Sequence, residues 1–237
     1  MRSSFLVVAV CLLLAVSAAC AQSYVSVWEA DKTEQAGTSS WFGNVGLIVT
    51  PTASVPAPSA ATAQWHRVDR DAGDVDVIGV NFGVTNWLEI GGARVDDEAA
   101  DDAEEIANVK VLLPIAKWFD EASWPTVAIG AVDVSNELNR SYYMVLSKAF
   151  PMGASADTAR QLKLSFGIAD SESDSGALDG VFGGIEFPAF RHGLIQAEYD
   201  GDAFNAALRY TPMGRVSLDI GTLDSDFGFG LTYRSSF

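Results

Sequence analysis

The chain ends with the stretch DFGFGLTYRSSF, residues 226–237, whose side chains alternate between two kinds. One parity carries the large apolar residues Phe227, Phe229, Leu231, Tyr233 and Phe237, and only Ser235 interrupts this row. The other parity carries small or polar residues. Because successive side chains of a strand point to opposite faces of a sheet, the stretch predicts a strand with one apolar face and one small or polar face.

Similar segments recur from residue 62 onward, each about as long as a tilted strand that crosses a bilayer and each followed by a turn of Gly, Asp, Asn, Ser or Pro. We predict about twelve strands, with fourteen as the alternative. An even number brings both ends of a barrel to the same side. The predicted strands are 62–68, 75–84, 87–95, 105–115, 125–134, 141–150, 161–169, 179–189, 193–200, 202–211, 215–223 and 226–237.

The last strand resembles the closing strand of a bacterial outer-membrane β-barrel, whose terminal aromatic residues are read by the barrel-assembly machinery. In that comparison Phe229, Leu231, Tyr233 and Phe237 form the assembly signal. The chain has no convincing amphipathic helix that could cover an apolar sheet face. We therefore predict an all-β fold, a transmembrane antiparallel up-and-down β-barrel over residues 62–237. A soluble two-sheet sandwich shows the same alternation and is the competing interpretation.

The residues before the barrel indicate export. Residues 1–21 combine Arg2, an apolar run and the small-residue site Ala19-Cys20-Ala21, as in a cleaved signal peptide. The alternative is a lipoprotein signal in which Cys20 is acylated. Both cysteines, Cys11 and Cys20, lie in this leader, so the exported product has no disulfide. We interpret residues 22–61 as a periplasmic lead-in with a short strand at 46–53 and a Pro-rich linker.

Charge distribution supports a barrel in the outer membrane. A net charge of −16 argues against a nucleic-acid partner. With both termini on one side, nearly all acidic residues of the connections fall on the opposite side, and the even-numbered connections hold only Asp120, Glu121 and Asp157. Charges within the strands mostly share the polar parity, which predicts a lumen of mixed sign. The predicted lumen-lining charges are Lys148, Lys163, Glu186, Glu198, Arg209, Asp219 and Arg234.

Motifs for chemistry are sparse. The sequence has no nucleophile elbow, P-loop, dinucleotide fingerprint or Cys/His metal spacing, so we predict no catalytic residue, no resident metal and no cofactor. One alternative is a barrel lipid hydrolase, in which His66 or His192 would meet a serine on the outer wall, although a solvated or rim position is the simpler interpretation of His66. Another feature is an acidic loop that could gather divalent cations through carboxylate oxygens. Its candidate ligands are Asp96, Asp97, Glu98, Asp101 and Asp102.

Five short motifs resemble the YjbH family of Gram-negative outer-membrane proteins. They are GLIxTPTA at 46–53, VAIGxxD at 127–133, VxSK at 145–148, FGGIE at 182–186 and AEYDGDxxN at 197–205. That family is associated with exopolysaccharide production and is predicted to form outer-membrane β-barrels, often in longer chains. The resemblance implies a role in exporting or retaining polysaccharide, and it offers no catalytic residue to carry over.

Together these features predict a non-enzymatic, monomeric outer-membrane protein that serves as a conduit or envelope component for exopolysaccharide. The alternative is a structural scaffold whose lumen is filled by side chains. Expected partners are outer-membrane lipid and lipopolysaccharide, the barrel-assembly machinery and a polysaccharide.

Overall fold

The computed structural model describes residues 38–100, 102–115, 124–152, 160–172 and 178–236. The predicted signal peptide, the alternative acylation of Cys20 and the first part of the lead-in lie outside these residues, as does Phe237. No helix within the described ranges is long and apolar enough to cross a membrane.

The fold is a closed antiparallel barrel in which each strand pairs with its neighbours in sequence and β1 pairs with β12. This confirms the predicted all-β, up-and-down barrel of twelve strands and excludes the sandwich and the fourteen-stranded alternative. The strands are β1 Ala60–Asp69, β2 Val75–Gly83, β3 Leu88–Asp97, β4 Asp102–Leu113, β5 Thr126–Val132, β6 Ser141–Met152, β7 Arg160–Ser171, β8 Gly180–Phe190, β9 Gly193–Tyr199, β10 Phe204–Tyr210, β11 Val216–Leu223 and β12 Asp226–Ser236.

Closure gives the barrel two rims of different composition. We call the rim that holds the start of β1 and the end of β12 the proximal rim, and the opposite one the distal rim. The even-numbered connections lie at the proximal rim, so the acidic odd-numbered connections share the distal rim. At the distal rim, β11 and β12 are joined by Asp224 and Ser225, both with positive φ. This backbone is typical of the two-residue hairpin turns that match strand twist.

The alternation of side chains sorts the two faces of the wall as predicted. In β12, Phe227, Leu231 and Tyr233 are exposed on the outside, whereas Gly228 and Thr232 are buried inside. The same division holds in β11, where Leu218 and Ile220 are exposed and Ser217 and Asp219 are buried. In these two strands the exterior therefore carries the large apolar residues and the interior carries the small and polar ones.

Residues 38–59, which we call the plug, lie inside the barrel up to Pro56 and reach the proximal rim at 57–59. Trp41, Leu47 and Ile48 have no exposed surface. The expectation of a periplasmic lead-in is wrong for this segment, because its backbone and side chains find partners on the inner wall. The predicted short strand at 46–53 is also absent. It is replaced by a turn in which Gly46 and Pro51 form an isolated β-bridge. The Leu47 amide donates to the Thr50 carbonyl over 2.9 Å within this turn.

An apolar core forms between the plug and one part of the inner wall. Trp41, Ile48, Val49 and Ala53 of the plug belong to one cluster of buried residues. The wall and its connections contribute the other members, which are Val68, Ala128, Val132, Tyr143, Val145, Leu178, Phe182 and Ala207. The interior is therefore a packed core in which the plug takes the place that a hydrophobic centre holds in a soluble protein.

We expect Phe182→Ala to lower the free energy of unfolding by about 3 kcal/mol, because it removes a buried ring from this cluster. Phe182 is 1% exposed and packs edge-on against Tyr143, with ring centroids 6.4 Å apart. The measurement is guanidinium unfolding of the detergent-solubilised barrel. The matched control is Phe204→Ala, since Phe204 is 81% exposed. Equal effects of the two substitutions would contradict the assignment of the core.

Candidate functional site

The lumen is the candidate functional site, and the plug occupies it. Between Thr38 and Ser59 the sequence contains no charged residue. Its fold is held by internal bonds, including a 2.8 Å bond from the Trp41 amide to the Ile48 carbonyl. Gly43 adopts a φ of 74°, and a Cβ on Gly43 would collide with the Gly92 carbonyl of β3. A left-handed glycine is therefore required where the plug turns against the wall.

Glu198 of β9 makes several hydrogen bonds to the turn at residues 48–50 of the plug. Its carboxylate accepts bonds from the amides of Ile48, Val49 and Thr50 at 3.1, 2.7 and 3.1 Å. The Thr50 hydroxyl donates a fourth bond over 2.7 Å. Bonds to an ionised acceptor are the stronger kind. The turn at residues 48–50 therefore acts as an anion-binding cradle for a carboxylate of the wall.

On the opposite part of the wall, Lys110 of β4 and Glu89 of β3 form a buried ion pair. Their charged atoms are 3.0 Å apart, and both side chains are at most 2% exposed. Lys110 Nζ also donates to the carbonyls of Val45 and Ser54, while Glu89 accepts from the Val45 amide. The pair therefore fixes two points of the plug backbone.

A third polar group joins β1, β10 and β11. Arg209 donates from Nε to Asp219 over 2.5 Å and from a terminal nitrogen to the Ser39 carbonyl of the plug over 2.8 Å. His66 lies 3.3 Å from the other carboxylate oxygen of Asp219. The Trp41 ring stacks on the His66 ring, with centroids 4.7 Å apart. Arginine, histidine and aspartate thus hold the first residues of the plug.

The entry of the plug is held by a fourth group. Lys163 of β7 pairs with Glu186 of β8 over 2.8 Å. Glu186 accepts a bond from the Thr38 hydroxyl, and the Gln196 amide nitrogen lies 3.3 Å from the same hydroxyl oxygen. Lys163 is the partly exposed member, with 23% of its side chain accessible.

Glycines on the inner wall make room for the plug. A Cβ on Gly228 would lie 2.5 Å from the Trp41 ring, and one on Gly184 would lie 2.6 Å from the Leu47 side chain. A Cβ on Gly91 would lie 2.0 Å from the Gly43 carbonyl oxygen. All three distances are shorter than real Cβ contacts allow. A larger residue at Gly91 is therefore incompatible with the observed path of the plug backbone, and one at Gly228 or Gly184 would displace the Trp41 ring or the Leu47 side chain.

Most of the predicted lumen-lining charges lie inside the barrel. Glu186, Glu198, Arg209 and Asp219 are buried there, Lys163 pairs with Glu186, and Arg234 shares the inward parity of Thr232. The prediction of a lumen-lining position is wrong for Lys148. It lies on the same parity of β6 as the exposed Tyr142 and Met144, opposite the exposed Leu164, and its Nζ lies 5.7 Å from the Phe150 ring centroid. It therefore faces outward, because β6 turns its odd-numbered residues to the lumen.

Sequence reasoning missed Glu89, Lys110 and the role of the plug. The two charged residues could have been found by the same parity argument, because Glu89 lies between Leu88 and Ile90, and Lys110 lies between Val109 and Val111. The plug gave no comparable signal. Its mixture of Gly, Pro, Ser and apolar residues is typical of a loop.

His66 was expected at the rim or, in the hydrolase alternative, on the outer wall. The structure places it inside, with no exposed surface. The inward orientation of His66 follows from the register of β1. Its neighbours Trp65 and Arg67 point outward, and His66 pairs with Gly230 of β12. The histidine is thus enclosed by Trp41 and Asp219, which contradicts an outer-wall site built on it.

The assembly signal and the acidic loop are only partly described. Leu231 and Tyr233 are exposed on the outside, and Phe229 packs edge-on against Trp65 at 5.6 Å, whereas Phe237 lies outside the described residues. In the acidic loop, Asp97 pairs with Arg70 over 2.5 Å. Among the described residues no group of three potential ligands converges on one point. Asp101 and the Asp102 side chain lie outside that description, so the cation site stays a prediction that also involves Asp96 and Glu98.

No protein-family model matches the sequence, and no curated protein matches it. Among solved structures, the chain is similar to one described as a KdgM porin, with a TM-score of 0.48 and 11% sequence identity. The match covers 74% of this chain and 99% of that one.

We expect Lys110→Met to lower the free energy of unfolding by about 3–5 kcal/mol, because it leaves the Glu89 carboxylate buried without its cation. The double variant Lys110→Met/Glu89→Gln should cost less than the sum of the single substitutions, since it removes both charges. The measurement is a double-mutant cycle in guanidinium. The control is the same cycle on Arg94 and Glu105, an exposed pair 3.4 Å apart on the outer face. Additive effects at Lys110 and Glu89 would refute the coupling.

Proposed function

We propose that this chain is an outer-membrane barrel protein whose lumen is closed by its own N-terminal segment, and that it acts as an envelope component in this state. The single observation that carries the proposal is the plug, which fills the lumen with buried side chains. This favours the filled-lumen alternative of the sequence analysis over a permanently open conduit.

The outer surface supports a place in a bilayer. Exposed large apolar residues occur around the wall, for example Ile78 and Val80 of β2, Ile195 of β9, and Leu218 and Ile220 of β11. Soluble monomers rarely expose large contiguous apolar patches. A closed barrel satisfies its backbone hydrogen bonds internally and is one of the two folds that can cross a membrane. Lipid therefore suits this exterior better than water.

The outer membrane is the bilayer that suits this barrel. Bacterial barrels of this type have an even number of antiparallel strands and short turns on the periplasmic side. Here short turns occur at both rims, so the orientation follows from charge: the acidic connections share the distal rim, and the proximal rim holds the start of β1 and the end of β12. We accordingly place the proximal rim in the periplasm and the acidic distal rim in the lipopolysaccharide layer, with assembly signalled by the exposed residues of β12.

We expect the protein to fractionate with outer membranes, to change gel mobility on heating, and to show no steady conductance in a planar bilayer. A change in gel mobility on heating would show that the barrel is folded. The absence of steady conductance would show that the plug closes the lumen. Recovery as a soluble periplasmic protein would overturn the membrane placement. Steady wild-type conductance of the folded barrel would overturn the closed state.

The exopolysaccharide role rests on the resemblance of the quoted motifs to the YjbH family. We expect loss of the gene to reduce cell-associated or released polysaccharide, and the wild-type gene to restore it. Extracellular uronic acid and hexose assays measure the effect, with a strain lacking an unrelated barrel as the control. Unchanged polysaccharide under conditions where the parent strain secretes it would reject this role and leave the envelope barrel in place.

A further inference from the structure

We propose that the plug is a displaceable gate latched by Glu198, and that its withdrawal turns the barrel into a water-filled channel for small hydrophilic solutes. This inference rests on the proposed placement in the membrane. It adds an activity to the closed barrel, and it names the wall residue that controls that activity.

The plug is attached in a way that allows it to leave. The isolated bridges that shape it, Ser39 with Val45 and Gly46 with Pro51, are internal, so these bridges do not add the plug to the sheet as a strand. The bonds that join residues 45–53 to the wall are made by wall side chains, among them Glu89, Lys110, Ser147 and Glu198. Water can replace such bonds without breaking the barrel ladder.

Three of the ion pairs around the plug are complete without it. Lys110 pairs with Glu89, Lys163 with Glu186, and Arg209 with Asp219, at 3.0, 2.8 and 2.5 Å. Each of these pairs joins residues of neighbouring strands, and the plug contributes no charge to any of them. Withdrawal therefore leaves these charges compensated and places them on the wall of the passage, beside the apolar residues that the plug covers.

Glu198 differs from the other three acids. Its four short bonds all come from residues 48–50 of the plug, and its described wall partner is the Asn205 amide at 3.3 Å. The carboxylate is buried, with 3% of the residue exposed. The plug thus supplies the donors that stabilise this charge, and the charge in turn holds the plug at its turn. Removing the charge should weaken the closed state selectively.

The C-terminal end of the plug provides the pivot. Residues 55–59 carry Pro56 and Pro58, and Ser59 has a φ of 63°. The Ser59 amide donates to the Gly83 carbonyl at the end of β2 over 2.9 Å. This connection ties the plug to the proximal rim where β1 begins. The plug can therefore swing toward that rim while it stays tethered to the barrel.

The test compares planar-bilayer conductance of the wild type, Glu198→Gln and Glu105→Gln. Glu105 lies on the outer face with 78% of its side chain exposed and serves as the matched control. We expect Glu198→Gln to raise the open-channel frequency about tenfold or more, because the charge-assisted bonds to residues 48–50 are lost. Glu105→Gln should match the wild type.

A disulfide lock distinguishes plug movement from damage to the barrel. The Ala53 amide donates to Ser147 Oγ over 2.8 Å, so Ala53→Cys and Ser147→Cys place two thiols close together. The described residues contain no other cysteine. In the Glu198→Gln background, the oxidised lock should abolish conductance and a reductant should restore it. Conductance that persists through a formed disulfide would overturn the gate.

A steric variant covers the case in which Glu198→Gln does not fold. Gly228→Leu fills the space of the Trp41 ring and should open the channel without touching Glu198, whereas Ala63→Leu on the outer face of β1 should not. Folded, heat-modifiable barrels of both Glu198→Gln and Gly228→Leu that stay silent would overturn the inference and leave the closed barrel intact. Failure of the wild type to insert would instead overturn the proposed function.

Discussion

A closed sheet with an apolar exterior has to satisfy its polar side chains within its own interior, and the rest of this structure depends on that constraint. Alternation along each strand places Glu89, Lys110, Glu198, Arg209 and Asp219 on the inner face. An isolated buried charge is costly, so each must find a partner. Pairing between neighbouring strands serves most of them. The plug serves Glu198 and adds further bonds to Glu89, Lys110 and Arg209.

The plug and the wall are matched in shape as well as in hydrogen bonding. Gly184 and Gly228 have no side chain at the positions where Leu47 and Trp41 approach the wall, and the Trp41 ring stacks on the His66 ring. The apolar residues of the plug meet Val145, Phe182 and Leu178, which also have almost no exposed surface. A wide empty barrel would lose these dispersion contacts. The interior is consequently packed, and the same packing blocks passage while the plug is in place.

The hydrogen bonds between the plug and the wall link stability to function. Polar bonds can exchange with water, whereas a strand added to the sheet would be tied by its ladder. The ion pairs on the wall are complete between strands, so they belong to the barrel and remain when the plug moves. Glu198 is the exception among these buried acids, because its carboxylate is bound chiefly by amides of the plug. Control of a closed or open state is thereby concentrated at one side chain.

The sequence by itself determined the all-β class and the positions of the strands, because period-two alternation and turn residues are local properties. Closure into a barrel, which excludes the sandwich, depends on the pairing of β1 with β12 in the tertiary structure. The sequence also determined the sidedness of the acidic connections and the inward direction of Glu186, Glu198, Arg209 and Asp219. It misplaced Lys148, since the parity of β6 was assigned from its charge and not from its neighbours. Only the tertiary structure decided that residues 38–59 lie inside, because their partners Glu89, Lys110, Ser147 and Glu198 are distant in sequence and meet only when the sheet closes. For the same reason it alone placed His66 against Trp41, since stacking between a plug and a strand leaves no periodic trace in either segment.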